Sequence, residues 1–280
     1  MKLAESWVSV RDRLSLMGVE DASLEAEVLH RQALEMDRVG FFSELQTEVP
    51  FEHAERVRHL AERRLAGEPL PYITGIREFY GLDFMVDSQV LVPRQETELL
   101  VDLTLMAVTD MGLTRPVIAD VGTGSGAIAI ALASRLSLAT VYATDVSQDA
   151  LDVAQRNCER YGVADRVRLM QGDLLSTVTG KLDIIVSNPP YIPSVQLATL
   201  PSDVQREPRM ALDGGPDGLD VIRRLLGQVQ EKLQPNGRLM FELSPEQVEE
   251  AMEIAHEAFP ERDVSFERDL LKLPRVIVVS

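Results

Sequence analysis

One cysteine, Cys158, stands among 280 residues, which excludes an internal disulfide and any zinc site built on several thiolates. Packing is its expected role. The four histidines, His30, His53, His59 and His256, are scattered without a ligand spacing such as H-E-x-x-H, so they are expected at the surface and no metal is implied. No apolar run approaches the ~18 residues needed to cross a bilayer. Met1-Lys2-Leu3-Ala4-Glu5 leads straight into an amphipathic pattern, with neither the apolar core of a signal peptide nor the Arg-rich bias of a transit peptide. A soluble, cytoplasmic chain without membrane association is expected. Runs of Lys and Arg are also lacking, and 28 basic against 45 acidic residues give a formal net charge of −17. A protein that grips phosphates normally carries a basic patch, so direct nucleic-acid binding is disfavoured and a protein partner gains weight. Repeats and low-complexity segments are absent as well.

What is present is ordinary for a globular protein: 45% hydrophobic and 26% charged residues, in a chain long enough for two domains of roughly 100 to 150 residues each. The most informative stretch is Ser187-Asn188-Pro189-Pro190-Tyr191, which follows the apolar run from Leu182 to Val186. A strand delivers Asn188 to its end, and two prolines without N–H groups then stop it. The polar atoms there are mostly acceptors: the Asn188 side-chain oxygen and the carbonyls of Pro189 and Pro190, beside the flat Tyr191 ring. Such a set suits a planar NH2 group whose nitrogen faces outward. The plainer alternative is a strand-terminating turn, since Asn and Pro are ordinary turn residues.

Earlier in the chain, Leu3, Trp7, Val10, Leu14 and Met17 recur at helical spacing before Gly18. A second helix is expected after Ser23 as cap, and a third from about Glu52 to Ala66 with Ala54, Val57, Ala61 and Leu65 inward. These make a small helical bundle, closed by a linker at Gly67-Glu68-Pro69-Leu70-Pro71. Phe79 to Val86 and Val90 to Val92 flank the short loop Asp87-Ser88-Gln89 and read as a β-hairpin. Arg94, Glu96 and Thr97 precede a helix from Leu99 to Val108 and are second-tier site candidates beside their reading as a plain charged cap.

From Val117 strands alternate with helices, the pattern of a mainly parallel sheet covered on both faces. The first strand, Val117 to Val121, runs into Gly122-Thr123-Gly124-Ser125-Gly126, and glycines at a strand's carboxyl end let a cofactor approach the backbone. The second strand, Thr140 to Thr144, ends at Asp145, about 20 residues on, where an acid can accept from both ribose hydroxyls. Gly122, Gly124 and Ala127 also fit a dinucleotide fingerprint. Against it, Asp120 sits two residues before the first glycine, where a carboxylate suits a cationic amino-acid head group better than a pyrophosphate. Asp-x-Gly-x-Gly-x-Gly from Asp120 to Gly126 is the pattern of S-adenosylmethionine-dependent methyltransferases. The third strand, Val167 to Met170, ends in Gly172-Asp173-Leu174, with a carboxylate and an apolar side chain where adenine is expected. Beyond the prolines, Ile192 to Asp217 is a long loop rich in proline and glycine, expected to shape the substrate mouth. Helices are expected at Gly218 to Leu233 and Glu246 to Ala258, with strands at Arg238 to Leu243, Val264 to Phe266 and Val276 to Val279.

The chain resembles the HemK/PrmC family, methyltransferases that modify the glutamine of the Gly-Gly-Gln motif in peptide chain release factors, over nearly its full length. The matching stretches are Gly67-Glu68-Pro69-Leu70 with Tyr72-Ile73 and Gly75, Glu78 to Leu82, Pro93-Arg94 with Glu96-Thr97-Glu98, Asp120 to Ala131, Val186 to Ile192, and Glu207-Pro208 through Ala211-Leu212 to Gly214 to Asp220. The resemblance implies an α/β fold: a seven-stranded Rossmann-like class I methyltransferase domain over 95–280, a linking β-hairpin over 76–94, and an N-terminal helical bundle over 1–75 for substrate recognition. It further implies that S-adenosyl-L-methionine is held by Gly122, Thr123, Gly124, Ser125, Gly126, Asp145, Leu174 and Asn188, leaving S-adenosyl-L-homocysteine as product; Asp120 and Asp173 join this cofactor site on their strand-end positions. Asn188, Pro189, Pro190 and Tyr191 are then the catalytic and substrate-binding residues, a release factor is the protein partner, and a monomer is expected. Three departures stand out: Gln95 where the family commonly has proline, Leu174 where some members have an aromatic residue, and Ser244 where glycine is common. Two rivals stand beside this reading. An amino-group methyltransferase acting on adenine or guanine in nucleic acid would use the same clamp, but the acidic charge and the N-terminal match oppose it. A noncatalytic binding module would need neither the clamp nor the cofactor acids together.

Overall fold

The computed structural model describes residues 1–280 and divides into two units. One comprises Met1–Gly75 with Pro201–Arg206, the other Ile76–Leu200 with Glu207–Ser280. No helix is long and apolar enough to cross a membrane.

The first unit holds α1 (Leu3–Leu16), α2 (Ala22–Leu34), α3 (Arg38–Ser43), α4 (Phe51–Leu65) and α5 (Leu70–Thr74). Val10 and Leu14 of α1, Ala26 and Leu29 of α2, and Val57 and Ala61 of α4 form its core. Four expectations are corrected here. Met17 lies past the end of α1 and is 64% exposed. Asp21, not Ser23, precedes the first residue of α2. The stretch read as a linker folds into α5, because Pro71 falls in the first turn, where a missing N–H breaks no helical bond. His30 is buried instead of exposed: its Nδ1–H donates to the Ala26 carbonyl at 2.7 Å and Nε2 accepts from the Ser6 hydroxyl at 2.9 Å. With both ring nitrogens satisfied, burial holds the imidazole neutral by lowering its pKa. Residues 201–206 are tied into this unit by Arg64, which pairs with Glu25 at 2.6 Å and Asp203 at 3.3 Å, and by Arg206, which donates to the Ala66 carbonyl.

The second unit begins with an antiparallel hairpin of β1 (Ile76–Phe79) and β2 (Leu82–Met85). Its turn is Tyr80-Gly81, with φ of 54° and 76°, the left-handed pair that matches strand twist in a two-residue hairpin. The expected turn at 87–89 is therefore displaced, and Val90 to Val92 do not form a strand, although Val90 and Val92 are buried. A 3-10 turn, Gln95–Thr97, opens α6 (Glu98–Asp110). Then follow β3 (Val117–Val121), α7 (Ala127–Arg135), β4 (Thr140–Asp145), α8 (Gln148–Arg160), β5 (Val167–Gln171), β6 (Leu182–Ser187), α9 (Asp220–Lys232), β7 (Leu233–Glu242), α10 (Val248–Ala258), β8 (Val264–Arg268) and β9 (Pro274–Val279). β7 starts at Leu233, ahead of the expected Arg238.

These last seven strands make one sheet in the order β5-β4-β3-β6-β7-β9-β8, parallel except around β9. Side chains alternate across it. Ile118 and Ile184 pack with Leu100, Ile130 and Cys158 on the face covered by α6, α7 and α8. Ala119, Ile185 and Leu239 pack with Leu225 and Ala251 on the face covered by α9 and α10. Burial on both faces explains why β3 and β6 read as nearly unbroken apolar runs. The chain winds outward from β3 in one direction and from β6 in the other, which opens a crevice at their carboxyl ends.

Candidate active site

A cavity of about 560 Å³ lies at that crevice, lined among others by Gly122, Gly124, Asp145, Leu174, Asn188 and Pro190. The glycine loop forms its floor. Gly122, Gly124 and Gly126 have φ of 75°, 55° and 82°, a left-handed path that a side chain would strain, and Gly122 and Gly124 present bare backbone to the cavity. Asp120 is fully buried beneath this loop and is absent from the cavity wall. Its Oδ2 accepts from the Thr123 hydroxyl at 2.6 Å and the Ala129 N–H at 3.1 Å, while Oδ1 has no partner. Burial pushes its carboxyl up to about 7. Ser125 is buried, and its carbonyl accepts from the Asn157 side chain at 2.9 Å.

Asp145 closes β4, where Oδ2 accepts from the Gly124 N–H and Oδ1 from the Ser147 N–H, each at 2.9 Å, with the Val146 N–H as a further backbone donor. A carboxylate has about four lone-pair sites, so acceptor capacity remains for a ribose hydroxyl. Burial raises its pKa, and the backbone donors oppose that shift. Leu174, at φ of 53°, lines the cavity with an apolar side chain, while Asp173 is exposed and paired with Arg224.

Asn188 follows the last residue of β6, and Ser187 anchors that end by donating its hydroxyl to the Val121 carbonyl at 2.8 Å. Asn188 Nδ2 donates to Thr97 Oγ1 at 3.0 Å. The Thr97 hydroxyl donates to Glu242 Oε2 at 2.7 Å, and the Tyr191 hydroxyl donates to Glu242 Oε1 at 3.1 Å. Burial pushes Glu242 up to about 7 and raises Tyr191 as well. Pro189 is buried; Pro190 and Tyr191 are half-buried. The Tyr191 carbonyl accepts from Gln247 Nε2 at 2.9 Å.

Of the second-tier candidates, Thr97 reaches Asn188 directly. Arg94 pairs instead with Glu207, which also accepts from the Val92 N–H at 3.0 Å, and Glu96 is exposed. The long loop after Tyr191 is closed at its base by the Ile192 N–H to the Leu212 carbonyl and the Gly214 N–H to the Ile192 carbonyl, each at 2.9 Å, and Pro208, Met210 and Asp213 line the cavity. Sequence reasoning missed Glu242, Glu207 and Gln247. A carboxylate ending the buried run Leu239-Met240-Phe241 was the signal for the first of these.

The residues suit a sulfonium nucleoside. Bare glycine backbone, a ribose-competent acid and an apolar adenine wall supply contacts of the right chemical types, while Asp120 lies beneath the loop and does not reach the cavity.

Comparison with known proteins gives the class. A family described as Methyltransferase small domain matches residues 96–201, and PrmC N-terminal domain matches residues 7–75. Among solved structures, a methyltransferase from Pyrococcus furiosus superposes with a TM-score of 0.51 at 21% identity, covering 80% of this chain and 96% of that one. The hMettl16 catalytic domain in complex with MAT2A 3'UTR hairpin 6 gives 0.56 at 18%, covering 81% of each. Their likeness is one of fold, and the fold is that of a class I methyltransferase preceded by a helical domain.

Two curated relatives, both release factor glutamine methyltransferases, narrow this. That of Moorella thermoacetica is 48% identical over 87% of this chain and 86% of its own length, and that of Geobacter sulfurreducens 44% identical over 85% and 83%. The chain belongs to the release factor glutamine methyltransferase family.

Proposed function

We propose that this protein transfers the methyl group of S-adenosyl-L-methionine to the side-chain amide nitrogen of the glutamine in the Gly-Gly-Gln motif of a peptide chain release factor. The observation that carries the reading is Asn188: its NH2 is tied to Thr97 while the residue lines the cavity shared with Gly122, Gly124 and Asp145. The oxygen is thus left to accept from a substrate NH2.

When bound, the cofactor supplies an electrophilic methyl carbon on a positively charged sulfur and leaves as S-adenosyl-L-homocysteine. The residues of this chain face the harder problem, the nucleophile. An amide lone pair is delocalised into its carbonyl, so the site must orient the nitrogen and present negative potential as its N–H bonds acidify. The Asn188 oxygen and the Pro189 carbonyl are the acceptors for that purpose, and the Tyr191 ring packs on the planar amide. No residue is assigned as general base; water takes the proton after transfer. Residues 1–75 serve release-factor recognition, 76–94 link, and 95–280 catalyse, in a cytoplasmic monomer that uses no metal and contacts no nucleic acid.

Labelled methyl from the cofactor is expected to enter a folded release factor and to be found by mass spectrometry on the Gly-Gly-Gln glutamine. Transfer into DNA or RNA with none into the factor would overturn the assignment. Cofactor binding has its own check. Asp145→Ala is expected to weaken it by about 1 to 3 kcal/mol through lost ribose hydrogen bonds, read by calorimetry. Wild-type affinity in that variant would remove Asp145 from the site.

A further inference from the structure

We infer that Glu242 is the positioning residue that decides which end of the Asn188 amide faces the substrate, acting through the Thr97 hydroxyl. The inference rests on the reading of Asn188 as acceptor for the reacting amide. Glu242 and Thr97 are 1% and 5% exposed, so bulk water does not compete for their hydrogen bonds. Above its raised pKa of about 7, Glu242 is an ionised carboxylate and only accepts. The single Thr97 proton therefore goes to Glu242 Oε2, and Thr97 Oγ1 has only a lone pair to offer Asn188. The NH2 end of the amide is the end that a lone pair satisfies. With the oxygen turned toward Thr97 instead, two acceptors would meet with no proton between them. The direction of the donor chain, from Asn188 to Thr97 to Glu242, thus fixes the Asn188 oxygen on the cavity side. Tyr191 donates to the other oxygen of the same carboxylate, so both ends of the Asn-Pro-Pro-Tyr segment take their orientation from one buried acceptor.

The Glu242→Gln change keeps the shape but brings an NH2 able to donate to Thr97. Thr97 is then free to donate to the Asn188 oxygen, which turns the Asn188 NH2 toward the substrate NH2, donor against donor. Asn188→Asp creates the opposite fault, two carboxylates around one Thr97 proton. In the double variant the faults cancel. The introduced glutamine donates to Thr97, and Thr97 donates to one oxygen of the introduced aspartate. The second oxygen of that aspartate faces the cavity, and the net charge is that of wild type.

The test is a double-mutant cycle on full-length protein. Glu242→Gln is expected to lower kcat for release-factor methylation by about 100-fold, with KM little changed, and the double variant to turn over about tenfold faster than either single one. Losses that multiply in the double variant, or wild-type kcat in Glu242→Gln, would overturn the inference. A second readout needs neither cofactor nor substrate: in ¹⁵N-labelled protein the Asn188 side-chain NH2 is expected to exchange slowly with deuterated water, and quickly in Glu242→Gln. If Glu242→Gln does not fold by thermal melting, Thr97→Val carries the same test, with fast Asn188 exchange and reduced kcat expected and wild-type values contradicting it. A wild-type protein that transfers no methyl to a release factor refutes the functional reading, whereas the Asn188 exchange rate still decides the role of Glu242.

Discussion

Asn188→Ala is expected to lower turnover by about 100-fold or more while the protein remains folded. The variant removes the one side-chain acceptor aimed at the substrate amide, and deleting a positioned electrostatic partner of this kind typically costs about 10² to 10³ in rate. Stability should change far less, because the loss is a single hydrogen bond to Thr97, worth about 0.5 to 1.5 kcal/mol net, and no large apolar side chain leaves a core. Single-turnover methylation of a release factor, paired with thermal melting, separates the two effects. A folded Asn188→Ala variant with wild-type turnover would reduce the segment to a strand-terminating turn.

Gly218→Ala is expected to be nearly as damaging, although the residue touches neither proposed substrate nor cofactor. Its φ is 85°, and a Cβ there would overlap the Tyr191 carbonyl oxygen and the Gln247 side chain. Gln247 can swing aside only by releasing that carbonyl and the Asp217 carbonyl, and the Tyr191 carbonyl is backbone with no freedom to do so. The methyl must either push Tyr191 off its place or move the whole turn. Overpacking of this kind typically costs about 1 to 3 kcal/mol, and displacement of a reacting group by about 1 Å can cost about 10² in rate. The prediction is a lowered melting temperature together with a strongly reduced kcat. Wild-type values of both would show that the loop tolerates what its geometry forbids.

The sheet was legible in the sequence because physics writes parallel strands plainly. β3 and β6 are covered on both faces, so Val117–Val121 and Leu182–Ser187 are almost wholly apolar, and each ends where a glycine or proline breaks the pattern. The loop from Asp120 to Gly126 and the acid at 145 were legible for the same reason: they sit at strand ends. What escaped depended on distant partners or on unusual backbone. The hairpin turn was misplaced because Tyr80 adopts φ of 54° without the Asn or Asp that usually announces such a turn. Helix α5 was hidden by Pro71, which marks a break except in a first turn. Glu242 looks like any polar residue closing a strand, and its meaning comes from Thr97, 145 residues away. His30 looked like a surface residue because nothing local reveals that Ser6, 24 residues earlier, will satisfy it.

The six residues from Pro201 to Arg206 bear on how far the chain is modular. The polypeptide enters the helical unit twice, once at its start and once midway through the loop that follows Tyr191. A cut after residue 75 therefore does not release a self-contained catalytic cassette. It strands Asp203 without Arg64 and Arg206 without the Ala66 carbonyl, in a loop from which Ser194, Pro208, Met210 and Asp213 line the cavity. In an exchange of helical units between relatives, residues 1–75 and 201–206 are one inheritance, and a graft that moves the first without the second carries half of a matched surface.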